Sequence, residues 1–319
     1  MNNVLISGAG GDVGVGAIQI IREYQPGAKI IGLDVNSENA APLLCDEFLQ
    51  APPASSSQYF PFLRDTFRTF TPDVFIPTSD SEIVTLRDQG IQEFPHTLLP
   101  NSTAVQVFKD KLTTFEFLLG IGLPVPWTTP LDQFQGNDQP VIVKPRIGRG
   151  SQGVFCIDSV ADLPGNLNYV DFIAQELLKP AEAEVTAAVY RSHAGEIRIL
   201  QLRRKLVGGS TSWCEVIFDQ EADRQIRLLA EELDLWGPIN VQFMLTQDGP
   251  RIFEVNARLS STILIRHTMG FTDLIWWIKE LQAEDIRQWA PPSIGTVGVK
   301  VPTSMVSTRP VIRKGQHIV

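Results

Sequence analysis

Residues 141–153 read VIVKPRIGRGSQG, and this stretch decides how the chain is interpreted. An apolar strand pattern ends in Lys144, a glycine-rich loop follows, and Val154 begins a second strand. Two strands joined by a flexible loop can fold over a polyphosphate, because backbone N–H groups and Ser151 supply donors and the lysine supplies charge. The loop is not a Walker loop, since neither GK[ST] nor a helix follows it. A long hairpin without a ligand is the alternative.

A second informative stretch is the hairpin over residues 239–256. Glu254 and Asn256 share one face of its second strand, because side chains alternate along a strand. A three-residue loop would place Gln242 opposite Glu254, whereas a two-residue turn would shift the register and send Gln242 to the other face. A carboxylate with amide oxygens suits Mg²⁺, and Arg258, two positions further on, could stabilise phosphoryl charge. A solvated polar sheet edge is the alternative.

The N-terminal residues follow a strand–turn–helix–strand pattern that is typical of a parallel α/β domain. Gly8, Gly10 and Gly14 follow the first strand and Asp34 ends the second, so an NAD(P)-binding Rossmann oxidoreductase is an alternative function. The glycine spacing is not GxGxxG, and no tyrosine is followed four positions later by the lysine that a short-chain reductase needs. A tight turn that needs only small residues explains the glycines equally well.

Composition narrows the class of protein. The 319 residues are 43% apolar and 20% charged, which is typical of a globular protein of about two domains. The net charge of −9 argues against nucleic acid as a partner. The three cysteines have no metal or CxxC spacing, and no apolar run reaches the roughly 18 residues of a membrane span. We therefore expect a cytoplasmic protein without a leader peptide and without a membrane partner.

Taken in order, these motifs resemble those of the ATP-grasp superfamily, and within it the carbamoyl-phosphate-synthetase-like branch. The similarity also includes the Asp110-Lys111 pair, the Gln175–Leu178 segment and Glu184. It implies an α/β N-terminal domain with a Rossmann-like parallel sheet, followed by an α+β ATP-grasp fold. The implied parts are a pre-ATP-grasp domain (1–101), a small lid subdomain (102–180) and a C-terminal subdomain with the metal site (181–319).

The resemblance also implies ligands and residue roles. ATP and Mg²⁺, with Mn²⁺ as an alternative, are the implied cofactors. The residues expected at the phosphates are Lys111, Lys144 and the flap residues Gly148, Gly150, Ser151 and Gly153. Those expected at the nucleoside are Glu176 and Leu178 for adenine and Glu184 for ribose. The expected metal ligands are Gln242, Glu254 and Asn256, and Arg258 is expected to act with Lys144 in catalysis.

The function implied is that of an ATP-dependent ligase, which activates a carboxylate as an acyl-phosphate for attack by an amine. Its partners would be small molecules, and a homodimer is compatible with the family. The chain holds one such unit, whereas carbamoyl-phosphate synthetase has two, so that particular activity is not expected. A non-catalytic ATP-binding protein is a further alternative. Side chains considered for substrate binding by position are Ser79, Asp80, Glu82, Arg203, Arg204, Lys205, Arg266 and His267.

Overall fold

The computed structural model describes residues 1–148, 150, 152–179, 184–286, 288–301 and 304–305. Its N-terminal part is a four-stranded parallel sheet in the order β3-β2-β1-β4. The elements of this part are β1 (Asn3–Ser7), α1 (Asp12–Tyr24), β2 (Lys29–Asp34), α2 (Ala41–Leu44), β3 (Glu47–Gln50), α3 (Tyr59–Phe70), β4 (Val74–Ile76) and α4 (Asp80–Gln89). The carboxyl ends of β1, β2 and β4 lie at one edge of the sheet, as in other open α/β sheets that bind ligands there.

The middle part of the chain contains two helices and a small antiparallel sheet in the order β5-β8-β6-β7. Its elements are α5 (Ser102–Phe108), α6 (Lys111–Gly120), β5 (Thr128–Pro130), β6 (Val141–Pro145), β7 (Phe155–Ile157) and β8 (Phe172–Glu176). The sheet has an apolar cluster of its own, which includes Val141, Val143 and Ala174. The small sheet therefore has a packed core that is separate from the two larger apolar clusters.

The C-terminal part is a six-stranded antiparallel sheet in the order β13-β12-β9-β10-β11-β14. Its elements are β9 (Glu184–Arg191), β10 (Ile197–Val207), β11 (Ser210–Ile217), α7 (Gln220–Glu232), β12 (Gly237–Thr246), β13 (Gly249–Asn256), α8 (Ile263–Thr268), α9 (Asp273–Leu281) and β14 (Val297–Val299). Apolar residues on alternate positions of β12, such as Val241 and Phe243, face the core, and the intervening polar residues face a cleft.

Two large apolar clusters join the parallel sheet to the six-stranded sheet. One contains Leu5 and Phe75 together with Val241 and Phe243, and the other contains residues of α1, α8 and α9, with α1 packed against α8. At the α1–α8 crossing, a Cβ atom on Gly16 would lie 2.5 Å from Ile263 Cγ2, so this position needs glycine. These contacts fix the parallel sheet on the larger sheet. None of the helices in the described part of the chain combines the length and apolar character that crossing a bilayer requires.

The predicted fold class, an N-terminal parallel sheet followed by an ATP-grasp-type α+β part, is confirmed. Helices α5 and α6 are separated at Asp110, whose side chain accepts a hydrogen bond from Leu112 N at 2.8 Å and thereby caps α6. Residues 77–79 follow the carboxyl end of β4, and α4 begins at Asp80. Strand β11 was not predicted, although Gly208-Gly209 before it is a typical hairpin turn. The boundaries at residues 101 and 180 stay a prediction.

Candidate active site

A cleft of about 970 Å³ lies where the three parts of the molecule meet. Its walls include Gly8 and Asp80 from the parallel sheet, Lys144 and Gly148 from the small sheet, and Glu254 from the large sheet. The glycine loop after β6 and the polar edge of β13 therefore share one cavity, although they are far apart in the sequence.

The register of the β12–β13 hairpin places the polar edge in this cleft. Thr246 pairs with Gly249, so the turn between them has two residues, and this turn alone would send Gln242 away from Glu254. A β-bulge at Phe253 restores the register, and Gln242 pairs with Glu254. The predicted neighbours are thus correct, whereas the three-residue loop that was considered as their cause is wrong.

Glu254 is an acidic side chain without an ion-pair partner among the described residues. Its Oε1 accepts a hydrogen bond from Asn256 Nδ2 at 3.0 Å and a long one from Gln242 Nε2 at 3.5 Å. Gln242 directs its own Oε1 to Arg204, at 2.7 Å. Glu254 and Asn256 therefore present free oxygen lone pairs to the cleft, while the Gln242 oxygen is engaged by a guanidinium.

Lys144 lies at the end of β6 and is 7% exposed. Its Nζ donates a hydrogen bond to Gln175 Oε1 at 2.8 Å and lies 5.2 Å from the centre of the Phe253 ring. Burial lowers the pKa of Lys144 to about 8, and the nearby negative charge of Glu254 acts in the opposite direction. Gln175 was not predicted as a functional residue; the register of β6 and β8, in which Gln175 pairs with Ile142, places it on the same face as Lys144.

Lys111 and the glycine loop form the lid-side wall of the cleft. Lys111 is the first residue of α6, and its Nζ donates a hydrogen bond to the carbonyl of Gly148 at 3.2 Å. Gly150 has a φ of +60° and packs against Gly209 in the turn between β10 and β11, on the opposite side of the cleft. Gly153 supports the turn but does not line the cleft. Ser151 lies outside the described residues.

Glu184 lines the cleft and is paired with Arg204. The Arg204 guanidinium donates to Glu184 Oε1 at 2.9 and 2.5 Å as well as to Gln242, and its side chain is 9% exposed. Arg204 was considered for substrate binding only by its position. The structure shows it as a buried link between the residue predicted at the ribose and the strand predicted at the metal.

The two residues predicted at adenine lie away from this cleft. Glu176 forms a two-point ion pair with Arg251, with both distances 2.9 Å, and accepts a hydrogen bond from Trp127 N. Neither Glu176 nor Leu178 is among the residues that line the cleft. The Glu176 carboxylate therefore fixes the β8 end to β13, and an adenine contact at this segment stays a prediction.

Arg258 faces the cleft from the segment after β13. The flanking residues Ala257 and Leu259 are buried and hold the backbone in place. Arg258 Nε donates to Asp80 Oδ1 at 2.8 Å and Nη1 donates to its neighbour's carbonyl, that of Leu259, at 3.0 Å. Asp80 was predicted to face the cleft, and its carboxylate does so while it holds the arginine.

Other candidates for substrate binding have structural roles. Arg266 is 1% exposed and forms a buried ion pair with Asp273, so its prediction as a substrate contact was wrong. Arg203 pairs with Glu215 outside the cleft. Lys205 lies over the Trp213 ring, and neither Lys205 nor His267 is among the residues that line the cleft.

The first glycine turn is explained by packing. A Cβ atom on Gly8 would lie 2.4 Å from Thr78 Oγ1, and one on Gly14 would lie 2.2 Å from the Gly8 carbonyl oxygen. Asp34 accepts hydrogen bonds from the backbone N–H groups of Gly10 and Asn36, both at 2.9 Å. The acidic group that a Rossmann site would present to a ribose is thus bonded within the loop itself.

Comparisons with known proteins agree with this geometry. Residues 108–262 match the family model described as the ATP-grasp domain. The chain contains an ATP-grasp domain. It is also 25% identical over 263 residues to N5-carboxyaminoimidazole ribonucleotide synthase of Aquifex aeolicus (strain VF5), across 76% of this chain and 69% of that protein.

Solved structures share the fold over most of their length. One is N5-carboxyaminoimidazole synthetase from Staphylococcus aureus complexed with ADP, with a TM-score of 0.69, 17% identity and coverage of 93% of this chain and 80% of that one. Another is L-amino acid ligase from Bacillus licheniformis, with a TM-score of 0.66, 16% identity and coverage of 88% and 74%.

The ATP-grasp prediction and the ligase class are confirmed by these comparisons. The carbamoyl-phosphate-synthetase-like branch is a looser description than homology to the N5-carboxyaminoimidazole ribonucleotide synthases. The comparisons give no support to the oxidoreductase alternative.

Proposed function

We propose that this ATP-grasp ligase binds Mg²⁺-ATP between the glycine loop and β13, activates a small carboxylate as an acyl-phosphate and transfers the acyl group to an amine. The observation that carries the proposal is the shared cleft, in which a buried lysine faces an acid-and-amide edge. Lys144 and Lys111 reach this space from the lid side, and Glu254 and Asn256 reach it from the opposite wall.

The distribution of charge supports the placement of the phosphates. Lys144 carries its charge at neutral pH despite burial, because its pKa of about 8 still lies above 7. An anionic phosphate would give this ammonium a charged partner in addition to Gln175 Oε1, in a site of low polarity where charge-assisted hydrogen bonds are strong. Gly148 and Gly150 line the same space, and among the described residues nothing lies within 4 Å of a Cβ atom placed on Gly150.

The donor set at Glu254 and Asn256 fits Mg²⁺. The cation prefers hard oxygen ligands and usually binds one or two carboxylates together with phosphates and water. Glu254 is suited to this role because, unlike Glu176, Glu184 and Asp80, it has no arginine partner among the described residues. When bound, Mg²⁺ would neutralise phosphate charge during transfer. Gln242 would contribute as a ligand only after its oxygen leaves Arg204.

The proposed reaction has two balanced steps. A carboxylate oxygen attacks the terminal phosphorus of ATP, the bond to the bridging oxygen breaks, and ADP leaves with an acyl-phosphate formed. An amine then attacks the acyl carbon, the carbon–oxygen bond to phosphate breaks, and phosphate and one proton leave. Because water would hydrolyse the acyl-phosphate, closure of the glycine loop against the β10–β11 turn has a chemical purpose.

The test is ADP release from Mg²⁺-ATP against a panel of carboxylates, including bicarbonate, each assayed with and without amines. The wild-type protein is expected to release ADP only with particular carboxylate–amine pairs. Glu254→Ala is expected to reduce this turnover by at least about a hundredfold, because it removes the carboxylate proposed at the metal.

Glu215→Ala is the matched control. Glu215 is an acidic residue of the same sheet that pairs with Arg203 outside the cleft. Its turnover is expected to stay close to that of the wild-type protein. If Glu254→Ala retains substrate-dependent turnover, the assignment of the metal edge is wrong, and ADP release without any substrate would contradict the ligase reaction.

A further inference from the structure

An ion pair in the cleft connects the segment after β13 with the parallel-sheet part of the molecule. Arg258 comes from the segment after β13 and Asp80 from the first turn of α4 in the parallel-sheet domain. The bond joins Arg258 Nε to Asp80 Oδ1, and the Leu259 carbonyl accepts from Nη1. Two edges of the planar guanidinium are thereby fixed, while Nη2 has no hydrogen-bond partner among the described residues.

Asp80 itself is held on a rigid element. Glu82, two residues further along α4, is 4% exposed and accepts hydrogen bonds from the hydroxyl groups of Ser7 and Tyr59. Thr78, just before the helix, donates to the Ser7 carbonyl at 2.8 Å. The start of α4 is thus tied to the end of β1 and to α3, which fixes the position of the Asp80 carboxylate.

From this geometry we propose that Asp80 is a positioning residue, which holds Arg258 so that Nη2 faces the terminal phosphate of ATP. The inference rests on the proposed function of the cleft. An arginine side chain has many rotamers, and an orienting acceptor on Nε removes most of them before the ligand binds. ADP lacks the terminal phosphate that Nη2 is proposed to face. Loss of Asp80 should therefore weaken the binding of ATP and leave the binding of ADP nearly unchanged.

The experiment compares the affinities of AMP-PNP and ADP, each with Mg²⁺, by isothermal titration calorimetry. AMP-PNP is used in place of ATP because it resists hydrolysis during the titration. Asp80→Ala is expected to weaken AMP-PNP binding about tenfold and ADP binding less than about twofold, as for the loss of one charged hydrogen bond. Arg258→Ala is expected to show the same selective loss. In the double variant, the two losses are not expected to add.

Three further variants make the comparison specific. Asp80→Asn keeps an oxygen acceptor for Nε and is expected to retain most of the AMP-PNP affinity. Asp88→Ala removes a carboxylate from the exposed end of the same helix and is expected to bind both nucleotides as the wild type does. Asp80→Ser, which suits a helix N-terminus, provides the same test as Asp80→Ala should the alanine variant fail to fold.

The inference is overturned by equal losses for both nucleotides, by unchanged AMP-PNP affinity, or by an Asp80→Ala loss that persists in the Arg258→Ala background. Failure of the wild-type protein to bind either nucleotide refutes the proposed function together with this inference. Selective AMP-PNP losses in a protein that shows no ligase turnover would support the role of Asp80 and refute only the proposed reaction.

Discussion

Gln242 lies directly opposite Glu254 across the β12–β13 ladder, although the turn that joins these strands has only two residues. The extra residue that restores the register is Phe253, whose ring lies over the Lys144 ammonium group. One β-bulge therefore sets the acid-and-amide edge and also contributes to the burial of the lysine across the cleft. The lysine and the acid-and-amide edge, which are proposed to bind the polyphosphate from opposite walls of the cleft, thus depend on the same local feature.

The burial of Lys144 predicts a pH dependence of nucleotide affinity. The free protein loses the lysine charge as the pH rises through about 8, while bound phosphate favours the charged form. Mg²⁺-ATP affinity is therefore expected to fall with increasing pH above about 8, by up to about tenfold per pH unit. Calorimetric titration between about pH 7 and pH 9.5 measures this slope.

Lys144→Arg is the control for that slope, because a guanidinium keeps its charge over the whole range. We expect the variant to bind with a flatter pH profile, whatever its absolute affinity. A wild-type affinity that does not change above pH 8, or an equal slope in Lys144→Arg, would exclude the lysine as the titrating group.

Arg204 and Arg203 are neighbours on β10 that provide a matched pair. Arg204 is buried and bonds Glu184 and Gln242, while Arg203 is more exposed and bonds Glu215. Arg204→Ala leaves Glu184 as an unpaired negative charge in a cleft that is proposed to bind a polyanion. We expect ATP affinity to fall about tenfold in Arg204→Ala and less than about twofold in Arg203→Ala.

The affinities of both arginine variants can be measured by the same nucleotide titration. Equal losses would show that Arg204 acts only through the general charge of the sheet. An increase in affinity for Arg204→Ala would show that its ion pair competes with the ribose for Glu184, and would contradict the linking role.

The raised pKa of the buried Glu82 side chain makes the free energy of unfolding depend on pH. Burial raises the pKa of Glu82 to about 7, from 4.5 in the unfolded chain. The folded protein then binds more protons than the unfolded one between these values, so this group's contribution to stability is present below about pH 4.5 and is lost as the pH rises through about 7.

Glu82→Gln removes this dependence, because the amide does not titrate; its oxygen can accept from one of the Ser7 and Tyr59 hydroxyl groups, and its NH2 group can donate to the other. Relative to the wild type, its free energy of unfolding is expected to increase by about 2–3 kcal/mol between about pH 5 and pH 8. Urea denaturation at the two pH values measures the change, with the exposed Glu38→Gln as control. The same pH response in wild type and Glu82→Gln would contradict this account of Glu82.

The parts of the site that were predictable from the sequence depend on local patterns. Alternation along a strand is sufficient to place Glu254 and Asn256 on one face, and an apolar run before a glycine loop identifies β6 with Lys144 at its end. The remaining features depend on contacts between distant segments. The bulge at Phe253, the Arg204–Glu184 pair and the capping of α6 by Asp110, which also binds Arg146, each require strand or helix neighbours that local periodicity does not specify.

The central claim is that a triphosphate lies between the glycine loop and the Glu254–Asn256 edge, and a crystal structure with AMP-PNP and Mn²⁺ tests it most directly. Mn²⁺ replaces Mg²⁺ and is located by its anomalous scattering. We predict an anomalous peak within coordination distance of Glu254 and Asn256, with the phosphates extending from it toward Lys144. Nucleotide bound instead along the Gly8–Gly14 turn, with no metal peak at Glu254, would contradict the account.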